Sequence, residues 1–144
     1  MPLHLIKLAV GIEDVPHLAR VQKQRREEAA SRGDPPVARH VTRMFPRRAE
    51  TILDGGSIYW VIRGFIQVRQ RIISLDEVAG EDGITRCAIL LDEPLVRTMP
   101  QPYRAFQGWR YLEPAAAPLD LTTGAGDDEV PPHLALALRE LGLI

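Results

Sequence analysis

A single cysteine, Cys87, is present in the chain. This excludes an intrachain disulfide and any cysteine-rich metal centre, and it fits a reducing compartment. No apolar run approaches the roughly 20 residues that a membrane span needs. The start, Met1-Pro2-Leu3-His4-Leu5-Ile6-Lys7-Leu8-Ala9-Val10, has no basic stretch ahead of a long apolar one. No signal peptide and no membrane partner are therefore expected, and the cytoplasm is the expected location. Catalytic signatures are equally scarce. The serines are Ser31, Ser57 and Ser74, and none sits in a G-x-S-x-G elbow. His4, His17, His40 and His133 are scattered, without H-x-x-x-H, C-x-x-C or carboxylates at metal spacing. There is no P-loop, and Gly124-Ala125-Gly126 has no strand before it. No cofactor, metal or catalytic residue is assigned.

What remains is ordinary globular composition: 144 residues, 45% hydrophobic, 26% charged, formal net charge −1. That length suits one domain spanning residues 1–144. A near-neutral total argues against coating nucleic acid by charge alone.

Alternating apolar residues predict a strand over Leu3 to Val10. Asp14 can cap a helix, Pro16 suits its first turn, and the helix is expected to reach about Arg32. Val15, Leu18, Ala19 and Val21 would face inward; Lys23 to Glu28 is polar all round and would project into solvent. Val37 to Met44 reads as a short strand. Pro46 can start a second helix with Ala49, Ile52 and Leu53 inward, ended by Gly55-Gly56. Two strands are expected at Ser57 to Arg63 and Phe65 to Leu75, with Gly64 as a bulge or bend. After the turn Gly80 to Gly83, Ile84 to Asp92 reads as a strand. Pro94, Pro100 and Pro102 are expected to break regular structure, and Phe106 to Leu112 to form a last strand. Residues 113–128, rich in Ala, Pro, Gly and Asp, are expected to form an exposed arm, with Leu134, Leu138 and Leu141 on a terminal helix. This order predicts an α+β domain: a curved, mainly antiparallel sheet or a small barrel, with flanking helices.

Three segments carry a resemblance. They are His40-Val41-Thr42-Arg43-Met44-Phe45-Pro46-Arg47-Arg48, Gly55-Gly56-Ser57-Ile58-Tyr59-Trp60-Val61-Ile62-Arg63-Gly64 and Arg104-Ala105-Phe106-Gln107-Gly108-Trp109-Arg110-Tyr111-Leu112. They resemble an uncharacterised bacterial family, domain of unknown function 1489. The resemblance implies a bacterial, alphaproteobacterial source and no established activity, so it carries no site residues over. At fold level alone, the element order is similar to PUA-like barrels, including the ASCH and EVE groups, which bind RNA or modified bases.

Charge is unevenly spread. From Val37 to Leu75 there are seven arginines, two acids (Glu50 and Asp54) and no lysine. From Glu113 onward there are six acids and one base, Arg139. Arginine meets phosphate or carboxylate with a planar fork and stacks on flat rings. The competing reading is that these arginines pair with the protein's own carboxylates. If Pro46 opens a helix, Arg47 and Arg48 sit in its first turn, where the dipole disfavours cations and Phe45 cannot cap. An incoming anion, or an acid from the C-terminal stretch, would resolve both defects. Half of the chain's aromatics lie between Tyr103 and Tyr111, interleaved with Arg104 and Arg110. That pattern suits a stacked base with a clamped phosphate, or else an ordinary core. The sequence therefore points to a non-enzymatic binding module for RNA, a nucleotide or another phosphorylated ligand. Arg43, Arg47 and Arg48 would hold the anion, and Trp109 and Arg110 a flat group. The alternatives are a small enzyme on an anionic substrate with His40 as acid–base, or a protein–protein adaptor using the charged helix.

Overall fold

The computed structural model describes residues 2–121. Within them lie seven strands and two α-helices. The strands are β1 (His4–Leu8), β2 (Ala38–Thr42), β3 (Ser57–Ile62), β4 (Phe65–Ala79), β5 (Thr85–Leu91), β6 (Val96–Pro102) and β7 (Trp109–Leu112). The helices are α1 (Val15–Ser31) and α2 (Ala49–Leu53).

One seven-stranded sheet runs in the order β2-β5-β4-β3-β1-β7, with β6 also paired to β4. Only β1 with β3 is parallel; the other pairs are antiparallel. The long strand β4 organises this sheet. One edge pairs with β3; the other pairs first with β6 along 65–69, then with β5 along 72–79. Register shifts interrupt all three ladders, which bends the strand. Among the described residues no pair joins β2 to β7, so the curved open sheet is observed and a closed barrel is not.

Strand β3 is buried at all six positions because both of its faces are covered. On the helix side, Leu3, Leu5, Ile58, Trp60, Ile62, Val68 and Ile89 pack with Val15 and Leu18 of α1 and Ile52 of α2. On the other side a smaller cluster of Ile6, Tyr59, Val61, Ile66 and Leu112 lies under Tyr103, Phe106 and Ala117. Each such side chain, fully buried, contributes about 1.5–3 kcal/mol.

Several expectations need correction. Asp14 does cap α1, its carboxylate accepting from the His17 N–H at 2.7 Å. The inward stripe, however, is Val15, Leu18 and Gln22, and Ala19 is exposed. Helix α2 starts at Ala49, three residues after Pro46, and Leu53 is exposed. Its first helical bond is Ile52 N–H to the Arg48 carbonyl. Arg63 and Gly64 form a complete two-residue hairpin turn, with φ of 51° and 82°, rather than a bulge. Pro100 and Pro102 sit inside β6. That strand makes ladder pairs with β4 only and carries a bulge, the setting in which a missing N–H is tolerated.

Within residues 113–121, Pro114–Ala116 forms a 3-10 turn and Asp120 bridges Thr98. Expectations for 122–128 and for the terminal helix lie outside the described residues. Among the described residues no helix is long and apolar enough to cross a membrane.

Candidate functional site: an arginine turn pinned to a strand

After β2 the chain turns through Arg43 to Arg48 before α2 begins. Two side chains of β7 hold this turn. The indole N–H of Trp109 donates to the Met44 carbonyl at 2.9 Å, and that carbonyl also accepts from Thr42 Oγ1 at 3.3 Å. The Tyr111 hydroxyl accepts the Arg48 backbone N–H at 3.2 Å. Trp109 and Tyr111 meet edge to face with centroids 5.0 Å apart. The backbone of the turn is thus fixed, while Arg43, Arg47 and Arg48 are exposed. Between the first two, Met44 is 68% exposed and Phe45 37%.

The structure gathers four of the five residues singled out above. Arg43, Arg47, Arg48 and Trp109 share this corner. Arg110 does not, because successive strand residues point to opposite faces. Trp109 and Tyr111 pack on the helix-side cluster, whereas the Arg110 guanidinium lies 4.7 Å from the Phe106 ring centroid, beside the other cluster. Trp109 and Arg110 therefore cannot sandwich one flat group. The idea of an anion at a helix start is also withdrawn. Arg47 and Arg48 precede α2, which is too short to offer an N-terminal site, and Arg48 at its cap position makes no side-chain cap bond.

Two arginines of the basic middle do pair with acids from the C-terminal stretch. Arg48 reaches Glu113 at 3.4 Å, an exposed contact, and lies 5.8 Å from the Tyr111 centroid. Arg69 grips Asp120 with two 2.7 Å bonds and donates to Ser57 Oγ at 3.0 Å. The Arg69 hydrogen bonds hold the Asp120 carboxyl below its ordinary range. Arg43 and Arg47 have no ion pair among the described residues.

Ser57 is engaged by Arg69 and His4. Its Oγ serves Arg69, and its backbone N–H donates to His4 Nδ1 at 3.0 Å. His40 instead meets the Trp60 ring edge to face, with centroids 5.4 Å apart. Its Nε2 is buried and has no hydrogen-bond partner among the described residues. Burial, then the nearby Lys7 and Arg25 charges, bring its pKa down to about 4. Burial pushes the Cys87 thiol up to about 11, so it stays protonated.

The model of a protein family of unknown function, DUF1489, matches residues 5–144. The chain belongs to that family. No curated protein and no solved structure matches it, so the likeness to PUA-like barrels gains no support. The three DUF1489-like segments noted above meet in space: Met44 of the first touches Trp109 of the third, and His40 of the first touches Trp60 of the second.

A polar network around Gln70 lies inside the helix-side layer. Gln22 and Gln70 exchange two amide bonds of 2.8 and 2.9 Å. Gln70 also donates to the Asp92 carbonyl at 2.7 Å and accepts from Trp60 Nε1 at 3.3 Å. Its sequence signal is that Gln22 lies four residues beyond Leu18 and Gln70 alternates with Val68 and Ile72.

Proposed function

We propose that this protein is a non-enzymatic binding module for a phosphate-bearing ligand, single-stranded RNA or a nucleotide. Arg43, Arg47 and Arg48 meet the phosphates, and exposed Phe45 between them offers a ring for a base. The observation that carries this reading is the Trp109–Met44 hydrogen bond, which holds the turn while Arg43 and Arg47 keep no ion pair among the described residues and Arg48 makes only an exposed one to Glu113. Ordering the turn in advance lowers the entropy cost of binding. Arginine forks suit phosphate oxygens, and an aromatic among them suits a sequence-tolerant stack. Trp109 itself serves as the anchor, since its N–H is engaged and its ring packs on the core.

Anisotropy of a labelled single-stranded RNA at graded salt tests the reading. Affinity should fall as salt rises. Arg43→Ala with Arg47→Ala should reduce the log–log salt slope by about 1.4 for two lost single-strand contacts. Neither side chain has an ion pair among the described residues, so the variant should stay folded. Phe45→Ala should cost about 1–3 kcal/mol, the range for one stacked base. A folded double variant that binds as the parent does would refute the proposal, as would a parent that binds neither RNA nor nucleotide at low salt.

A further inference from the structure

A separate cavity of about 240 Å³ lies between α1, the end of β1 and β2. Ile12, Leu18, Ala38 and Trp60 supply apolar wall. Three cations line it, each from a different element: Lys7 of β1, Arg25 of α1 and Arg39 of β2. Among the described residues no carboxylate lines it, and His40 does. The buried Nε2 of that imidazole has no hydrogen-bond partner among the described residues. A natural core rarely leaves such an atom alone, because an unmet buried polar group costs about 1–3 kcal/mol. Two polar groups in the same layer, Gln22 and Gln70, are bonded to each other, so the fold can satisfy this environment where nothing else is required of it.

We propose that the cavity binds a small organic monocarboxylate, with its apolar body against Leu18, Ala38 and Trp60 and its carboxylate held by Lys7 and Arg25 and by His40 Nε2, which a turn of the ring brings from its buried position to the cavity. Size limits the body. An apolar cavity of about 150 Å³ accepts benzene, and drug-sized ligands need about 300 Å³ or more. The space here suits a ring or branched chain with a short acid arm. Charge limits the head. Three cations without an acid attract an anion, and a singly charged carboxylate loses less hydration than a phosphate dianion on entering such walls.

Proton linkage follows from the same groups. In the free protein, burial together with the Lys7 and Arg25 charges keeps His40 neutral, with a pKa of about 4. A carboxylate placed among these groups offsets both cations and accepts from protonated Nε2, so binding raises that pKa. Binding is then favoured by acid: affinity rises as pH falls through the raised bound-state pKa towards the free-state value of about 4, by up to tenfold in all for each unit of upward shift.

The test is a panel of monocarboxylates, from isobutyrate to phenylpropionate, with NMR titration of the His40 ring. The matching primary amides and inorganic phosphate serve as comparison ligands. The expected result is an upward His40 shift with the acids, no such shift with the amides, and several-fold weaker acid binding in Arg25→Gln. Arg25 is exposed, so that variant should fold. Acid binding should persist in the Arg43→Ala, Arg47→Ala variant, which separates this site from the surface proposed above. The proposal is overturned if no acid moves His40, if the amides bind as tightly as the acids, or if phosphate alone binds.

Discussion

Trp60 stands between two polar side chains with opposite fates. At its indole N–H is Gln70, whose two donors and two acceptor positions are all occupied. At its ring is His40, whose Nε2 is buried with no partner among the described residues. Both lie beneath α1, in one layer of the same sheet. The first arrangement is what stability alone requires: it ties α1 to β4 and closes the gap between β5 and β6 through the Asp92 carbonyl. The second opens onto a cavity and leaves an interaction unmade. Close packing and an incomplete polar site thus sit side by side, and the difference marks where a ligand can add free energy.

The strongest way to break this contrast is to unsettle its satisfied half. Gln70→Leu would strand the Gln22 amide, the Trp60 N–H and the Asp92 carbonyl, all formerly bonded to one side chain. At about 1–3 kcal/mol for each unmet buried group, partly relieved by relaxation, the expected loss is about 4 kcal/mol in urea unfolding. Adding Gln22→Leu should recover part of it, because removing both partners costs less than removing one. Should the two losses simply add, the network is not the unit described here.

Much of this layer was legible beforehand. The Asp14 cap, the length of α1 and the strands on either side of Gly80–Gly83 follow from local chemistry that the sequence displays. Gln22 is hard to place from sequence because its polar amide opposes its position on the Val15–Leu18 stripe. Arg69 and Asp120 are 51 residues apart, and only the bridge between 120 and β6 brings them together. The start of α2 depends on Tyr111 taking the Arg48 N–H, a contact across 63 residues. Pro100 and Pro102 looked like breakers because edge position is a tertiary property. The meeting of Arg43 and Arg47 with Trp109 rests on its bond to Met44, a tertiary contact across 65 residues, whereas the placing of Arg110 on the other face needs only the alternation of a strand.

The unsatisfied half should show itself in acid. His40 has a pKa of about 4 when folded against an ordinary value of 6.5. Between those two values the unfolded chain holds a proton that the folded chain lacks. Stability is therefore complete above about pH 6.5 and falls as pH drops towards 4, by about 3 kcal/mol in all. His4, lowered chiefly by burial, adds with the same sign. Unfolding measured from neutral to mildly acidic pH should show this decline, and His40→Gln should flatten most of it. An unchanged slope in that variant would mean that His40 is already solvated.

The smallest expected effect separates a local site from diffuse charge. Arg63 belongs to the same basic run as Arg43 and Arg47 but lies at the far end of β3 from α2. It holds a left-handed φ of 51° beside Gly64, where asparagine is the favoured partner of glycine in a two-residue hairpin. Arg63→Asn should raise stability by about 0.5 kcal/mol, at the low end for an optimised turn. It removes one positive charge without touching the turn that Trp109 anchors or the cavity beside His40. RNA affinity and its salt slope should therefore stay close to the parent's, while Arg43→Ala with Arg47→Ala weakens both. If Arg63→Asn lowers affinity as much per charge as that pair does, the arginine corner is not a site. The chain would then attract polyanions only through its overall field, and the cavity would be left as the one specific surface.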